Sequence, residues 1–143
     1  MILISNKGNI DGVNPESENK QDYIQMAINR GFQVKVDLWL MDNKLYLGSD
    51  KPDYELDIDW LERNASKLWI QCRSAELLSK LIDLDPIGSN LHIFIYNGET
   101  TLTNRGYIWD HTGYKSISLT DIKDIDDDLD YYGICSDHIG SYK

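Results

Sequence analysis

The chain has no long hydrophobic run. No apolar stretch approaches the about 18 residues that a membrane span requires, so no membrane-spanning helix is expected. Cysteine is scarce: only Cys72 and Cys135 occur, each inside a strand-like apolar segment. Two isolated cysteines make neither a disulfide framework nor a zinc pattern, and buried reduced thiols are the expectation. Basic residues are outnumbered, with 14 Lys and Arg against 24 Asp and Glu and a net charge of -10. No Lys/Arg cluster offsets that field, so nucleic-acid binding along an extended surface is not expected. A basic leader is missing too. Met1-Ile2-Leu3-Ile4-Ser5-Asn6-Lys7 reads as a first strand rather than a signal peptide, and a cytoplasmic location is the expectation.

What is present is a globular balance, 41% hydrophobic and 27% charged, over 143 residues, which is the size of one domain spanning 1–143. Eight short apolar or alternating runs read as strands: Ile2–Asn6, Val34–Leu40, Lys44–Gly48, Leu68–Arg73, Leu91–Tyr96, Tyr107–Asp110, Ser116–Leu119 and Tyr132–Asp137. Helical spacing marks Lys20–Arg30 and Ala75–Leu84, with a weaker helical turn at Ile58–Asn64. Asn19 and Ser74 are the expected caps and Gly31 the expected stop. Strand, helix, strand from the start predicts an α/β fold with parallel strands, closed into a compact (β/α) TIM-like barrel. Such barrels usually need about 250 residues, so several outer helices are expected as loops or turns. An open α/β sheet is the alternative. The acidic run Asp121–Asp130 lacks the spacing of an EF-hand loop and reads as a solvated loop, and Asn64-Ala65-Ser66 reads as a chance glycosylation triplet.

The segment from Gly31 to Asp50 carries the most information. Strand alternation places Val34, Val36, Leu38 and Leu40 on one face and Lys35, Asp37 and Trp39 on the other. An ammonium and a carboxylate then point into one small volume, which is an unusual thing to build into a packed interior and marks the place to look for function.

Around that segment the order runs S-N-K-G-N, N-P-E-S-E-N-K, G-F-Q-V-K-V-D-L-W and L-Y-L-G-S-D. K-L-W-I-Q-C-R-S, T-L-T-N-R-G-Y-I-W and G-I-C-S-D come later. This set resembles the glycerophosphodiester phosphodiesterase-like branch of the phosphatidylinositol-phospholipase-C-like phosphodiesterases, in its short, minimal members. Their pattern runs His-Arg-Gly, Glu-Asn, Gly-Phe-x-Val-Glu-x-Asp and Gly-His-Asp, and the likeness spans nearly the whole chain. The resemblance implies a barrel whose mouth holds a divalent metal, Mg or Ca, on carboxylates, with two histidines as general acid and base on a phosphodiester. Here Asn6 and Ser49 occupy the histidine positions, Lys35 replaces the glutamate beside Asp37, and Gln71 replaces a later carboxylate. A charged ammonium has no lone pair for a metal and repels one. The expectation is therefore a pseudoenzyme that has lost metal-dependent hydrolysis and needs no cofactor.

The ligand-binding candidates are Lys35, Asp37, Gln71, Arg73, Trp39 and Trp109, and Asn6, Lys7, Asn9, Ser49, Asp50, Asn97, Asp110 and Asp137 complete the expected mouth. Lys35 and Arg73 fit a phosphate or another anion on a small phosphorylated ligand, with Trp39 and Trp109 packing on its sugar or base. The competing reading is a closed ion-pair network of Lys35, Asp37 and Arg73 that binds nothing. A third is an interaction scaffold, since the four Trp and nine Tyr suit a protein-protein surface. The enzymatic alternative is a phosphoric diester hydrolase acting on glycerophosphodiester-like substrates with a rearranged site. It would draw an acid or base from His92, His111 or His138 and a metal set from Asp37, Asp50 and Asp137. His92 reads as packed or edge, and His111 and His138 as turn residues.

Overall fold

A computed structural model describes residues 1–84, 90–120, 124–126 and 131–142. The strands are β1 (Ile2–Asn6), β2 (Gln33–Met41), β3 (Lys44–Leu47), β4 (Tyr54–Leu56), β5 (Leu68–Cys72), β6 (His92–Phe94), β7 (Thr101–Leu102), β8 (Ile108–Trp109), β9 (Gly113–Leu119) and β10 (Tyr131–Ser136). The helices are α1 (Gln21–Asn29), α2 (Ile58–Asn64) and α3 (Ala75–Ile82).

All ten strands belong to one sheet. A parallel ribbon runs β6-β5-β2-β1-β10-β9-β8. Strand β2 outruns its parallel partners, and its far half pairs antiparallel with β3, which pairs with β4. The β2–β3 turn places Asp42 and Asn43 at φ 52 and 60, the conformation a two-residue hairpin with right-handed twist requires. Strand β7 adds antiparallel to β8.

The TIM-like barrel expected from the sequence is not what forms. The sheet is mixed and curls into a half-barrel, and among the described residues three short α-helices cover it and no strand pairing joins β6 to β7 or β8. The expectation took closure as the way to remove sheet edges. The chain handles its edges otherwise. Strands β4 and β7 are only three and two residues long. The outer edge of β6 is met by Asn104, whose side chain accepts from Ile93 N at 2.6 Å and donates to Leu91 O at 3.0 Å, while its backbone N donates to Ile93 O at 3.0 Å. One amide thus stands where a strand would.

The eight expected strands are all present, Ile2–Asn6 with the expected bounds and the other seven with shifted ends, and β4 and β7 are additions too short to show a period of two. Gly31, at φ 95, ends α1, and Ser74 Oγ caps α3 by accepting from Leu77 N at 3.2 Å. Asn19 is not the α1 cap. Lys20 holds that position without a side-chain bond, and Asn19 lies one residue earlier at φ 63 with its side chain turned to the sheet. Most of the acidic run Asp121–Asp130 lies outside the described residues.

Alternation sorts the two sheet faces. On the helix-covered face Val34, Val36, Leu38, Leu68, Ile70, Ile93 and Ile134 pack with Ile24, Ala27, Trp60, Leu61, Leu77 and Leu81. On the concave face Ile4, Trp69, Phe94, Trp109, Ile117 and Cys135 form a second cluster. Each large side chain fully buried in these layers contributes about 1.5–3 kcal/mol. The concave cluster fills the half-barrel up to the C-terminal ends of β1, β5 and β10, where polar residues replace apolar ones. No helix among the described residues is long and apolar enough to cross a membrane.

Candidate functional site

Asp37 is the hub of the polar end. Its Oδ1 lies 2.9 Å from Lys35 Nζ and 3.8 Å from Arg73 Nη1. Its Oδ2 accepts from Asn19 Nδ2 at 3.0 Å, and its backbone N donates to Asn19 Oδ1 at 3.0 Å. Lys35 and Asp37 are nearly removed from water, with side chains 9% and 2% exposed, whereas Arg73 is 28% exposed. A buried carboxylate demands such compensation. The same Asn19 amide also donates to Ser49 Oγ at 3.0 Å. Arg73 donates to Ser49 O at 2.8 Å and lies over the Trp39 ring at 4.9 Å from its centroid. Trp39 Nε1 in turn donates to Gly48 O at 2.7 Å. Gly48 is required there, because a Cβ would collide with the Lys51 carbonyl.

A second cluster sits beside it, at the ends of β1 and β10. Asp137 Oδ1 accepts from Asn6 Nδ2 and from Asn9 Nδ2, both at 2.9 Å. Asn9 Nδ2 also donates to Glu18 Oε2 at 2.8 Å, and Asn9 Oδ1 accepts from Tyr23 OH at 2.9 Å. Lys7 Nζ stands 3.9 Å from Glu18 Oε1. Burial and the nearby carboxylates Glu18, Asp11 and Asp137 raise the Tyr23 pKa, so its hydroxyl stays a donor.

Between the clusters opens a cavity of about 240 Å³, with Asn6, Lys35, Gln71, Trp109, Ser136 and Asp137 in its wall, and Tyr96, Leu119, Thr120 and Cys135 completing it. Gln71 Nε2 donates to Tyr96 O at 3.3 Å, and Tyr96 OH donates to Asp110 Oδ2 at 2.6 Å. Burial, then the bond to Asp110, pushes the Tyr96 phenol up to about 12. Burial pushes the Cys135 thiol to about 12 as well. The Lys35 charge pulls the other way and the Asp137 and Asp37 charges add to it, so this thiol lies within reach of all three. Among the described residues Asp37 is the acceptor of the Lys35 ammonium, which leaves two of its three N–H groups without a protein partner. The Trp109 indole N–H is buried without a partner among the described residues.

Of the expected mouth, Asn6, Lys35, Gln71, Trp109 and Asp137 line this cavity, and Asp37, Ser49, Arg73 and Trp39 form the network behind Lys35. Lys7 and Asn9 belong to the Asp137 cluster, and Asp110 holds Tyr96. Asp50 and Asn97 are exposed and line no part of it. His111 and His138 are exposed outside the cavity wall, and His92 is buried at the opposite end, stacked on Trp69 at 3.7 Å. Among the described residues no three His, Cys, Asp or Glu side chains gather as a metal set would. Residues that sequence reasoning missed are Asn19, Glu18, Tyr23, Tyr96 and Ser136. Asn19 and Glu18 sit in the N-P-E-S-E-N-K segment, where the polar signal is visible but an asparagine directly before a helix favours the cap.

No family model matches the chain, and no curated protein or solved structure shows significant similarity to it.

Proposed function

We propose that this protein is a catalytically silent relative of the glycerophosphodiester phosphodiesterase-like enzymes that uses the polar end of its sheet to bind the anionic group of a small molecule. The observation that carries this reading is the Lys35 ammonium: buried, in the cavity wall, and using one of three donors on the described residues. A buried charge with unused donors favours an acceptor from outside, whether water or a ligand oxygen. Gln71 and Asn6 add amides and Thr120 and Ser136 add hydroxyls, the usual partners of a phosphate or carboxylate.

The relationship draws its support from position. Asn6, Lys35, Asp37, Ser49 and Gln71, which the resemblance assigns to the family's working site, meet at one end of the sheet although up to 65 residues separate them. A divalent cation does not fit this donor set. Both Asp37 oxygens are engaged by Lys35, Arg73 and Asn19, and the neighbouring position carries a positive charge. No imidazole stands in the cavity wall to exchange a proton.

Two experiments test the reading. Inorganic phosphate or sulfate should raise the melting temperature of the protein, and Lys35→Met should abolish that rise. Glycerophosphodiesters with Mg²⁺, Ca²⁺ or Mn²⁺ should remain intact; turnover that disappears on Asp37→Ala would overturn the loss of chemistry, and a melting temperature indifferent to anions would overturn the binding.

A further inference from the structure

The charges of the cavity point to the rest of the ligand. Lys35 and Arg73 contribute two positive charges around Asp37, and Asp37 and Asp137 contribute two negative ones, so these four charges cancel. A bare dianion placed at Lys35 would meet Asp137 in the same wall and approach a chain of net charge -10. Asp137 is also only half used. Asn6 and Asn9 both donate to Oδ1, and Oδ2 accepts nothing from the described residues. Two asparagine amides therefore fix the orientation of this carboxylate and leave one of its oxygens available.

Resting on the anion-binding reading above, we propose that the cavity takes a small zwitterion, its anionic end at Lys35 and an ammonium at Asp137. The aromatic part of the wall fits that assignment. Trp109 and Tyr96 both line the cavity, and ring faces attract an ammonium as they do not attract a hydroxyl. Size fits as well: a cavity of about 240 Å³ lies below the usual range for drug-sized ligands and admits a molecule of a few heavy atoms on either side of a short linker. The shared chemistry is an ammonium two to four bonds from a phosphate or a carboxylate, which an amino-alcohol phosphate or an amino acid supplies.

Matched pairs separate the contributions. Calorimetric titration would compare O-phosphoethanolamine with ethyl phosphate, and γ-aminobutyrate with butyrate, on the wild type, Lys35→Met and Asp137→Asn. The ammonium member of at least one pair should bind the wild type about tenfold or more tighter than its neutral-tailed partner, the size expected of a charge-assisted contact. The pair showing the larger gain identifies the anion. Asp137→Asn should erase the gain while inorganic phosphate binds that variant as well as before or better, and Lys35→Met should weaken every member. Equal affinity within both pairs on the wild type would overturn the zwitterion assignment even if Asp137→Asn fails to fold, as would a gain that survives in Asp137→Asn. Phosphate binding lost on Lys35→Met would in that case leave the anion reading standing. Absence of binding by all five compounds would sink both.

Discussion

Replacing Asp37 by Asn is the sharpest perturbation of the buried network. At 2.9 Å and an effective dielectric near 20, the attraction between Lys35 and Asp37 is roughly 6 kcal/mol. Desolvation of the two groups cancels much of that in the intact protein, but it is not recovered when one partner is removed. Asp37→Asn strands the ammonium, since Arg73 bears the same sign, and should cost about 3–5 kcal/mol. Lys35→Met should cost less, about 1–2 kcal/mol, because Asp37 keeps the Asn19 amide and has Arg73 at 3.8 Å. The double variant should fall within about 1 kcal/mol of Lys35→Met, so the coupling nearly equals the Asp37→Asn cost, roughly 4 kcal/mol. Urea unfolding reads all three: Asp37→Asn should move the midpoint down by more than about 1 M with the slope unchanged. A cost under about 1 kcal/mol for Asp37→Asn, or additive single substitutions, would refute the reasoning.

Three further outcomes follow from the fold. Asn104→Leu should leave the Ile93 N–H and the Leu91 carbonyl unpaired at about 1–3 kcal/mol each, with faster amide hydrogen exchange at Ile93 than in the wild type. Burial, with help from Arg105, lowers the His92 pKa from 6.5 to about 4. The unfolded chain therefore binds the proton more readily, and the stability this gives above pH 6.5 is lost as pH falls toward 4. That loss should amount to about 2–3 kcal/mol relative to His92→Phe measured over the same range, and parallel curves for the two proteins would contradict it. Cys72 and Cys135, both free and raised to about 12 chiefly by burial, should resist a thiol reagent at pH 8 until urea unfolds the chain.

The strands and helices were legible where the apolar period ran for five residues or more, as in β2 and β5. The alternation sets Lys35, Asp37 and Trp39 against Val34, Val36 and Leu38, and the fold keeps that division, with the three apolar side chains in the helix-covered core and Lys35 in the cavity wall on the opposite face. Strands β4 and β7 were invisible because two or three residues cannot display a period. The barrel failed for a different reason. Closure follows from the sequence only if every open edge needs a strand partner, and nothing local in T-L-T-N-R-G marks Asn104 as the residue that answers β6. Asn19 failed by competition between two good roles: an asparagine before a helix is an ordinary cap, yet its left-handed backbone turns this one toward Asp37 and Ser49. Tyr96 and Ser136 reach the cavity through the curl of the sheet, a long-range property that spacing along the chain does not encode.

The central claim is that the Lys35 ammonium receives an anion, and nitrogen-detected NMR of the lysine side chains during a phosphate titration addresses it at that atom. The Lys35 Nζ resonance should shift with saturation and should be absent from Lys35→Met, while the exposed Lys44 and Lys51 resonances drift without saturating. A Lys35 resonance that stays fixed through the titration would show an ion pair closed to ligands and would contradict the account.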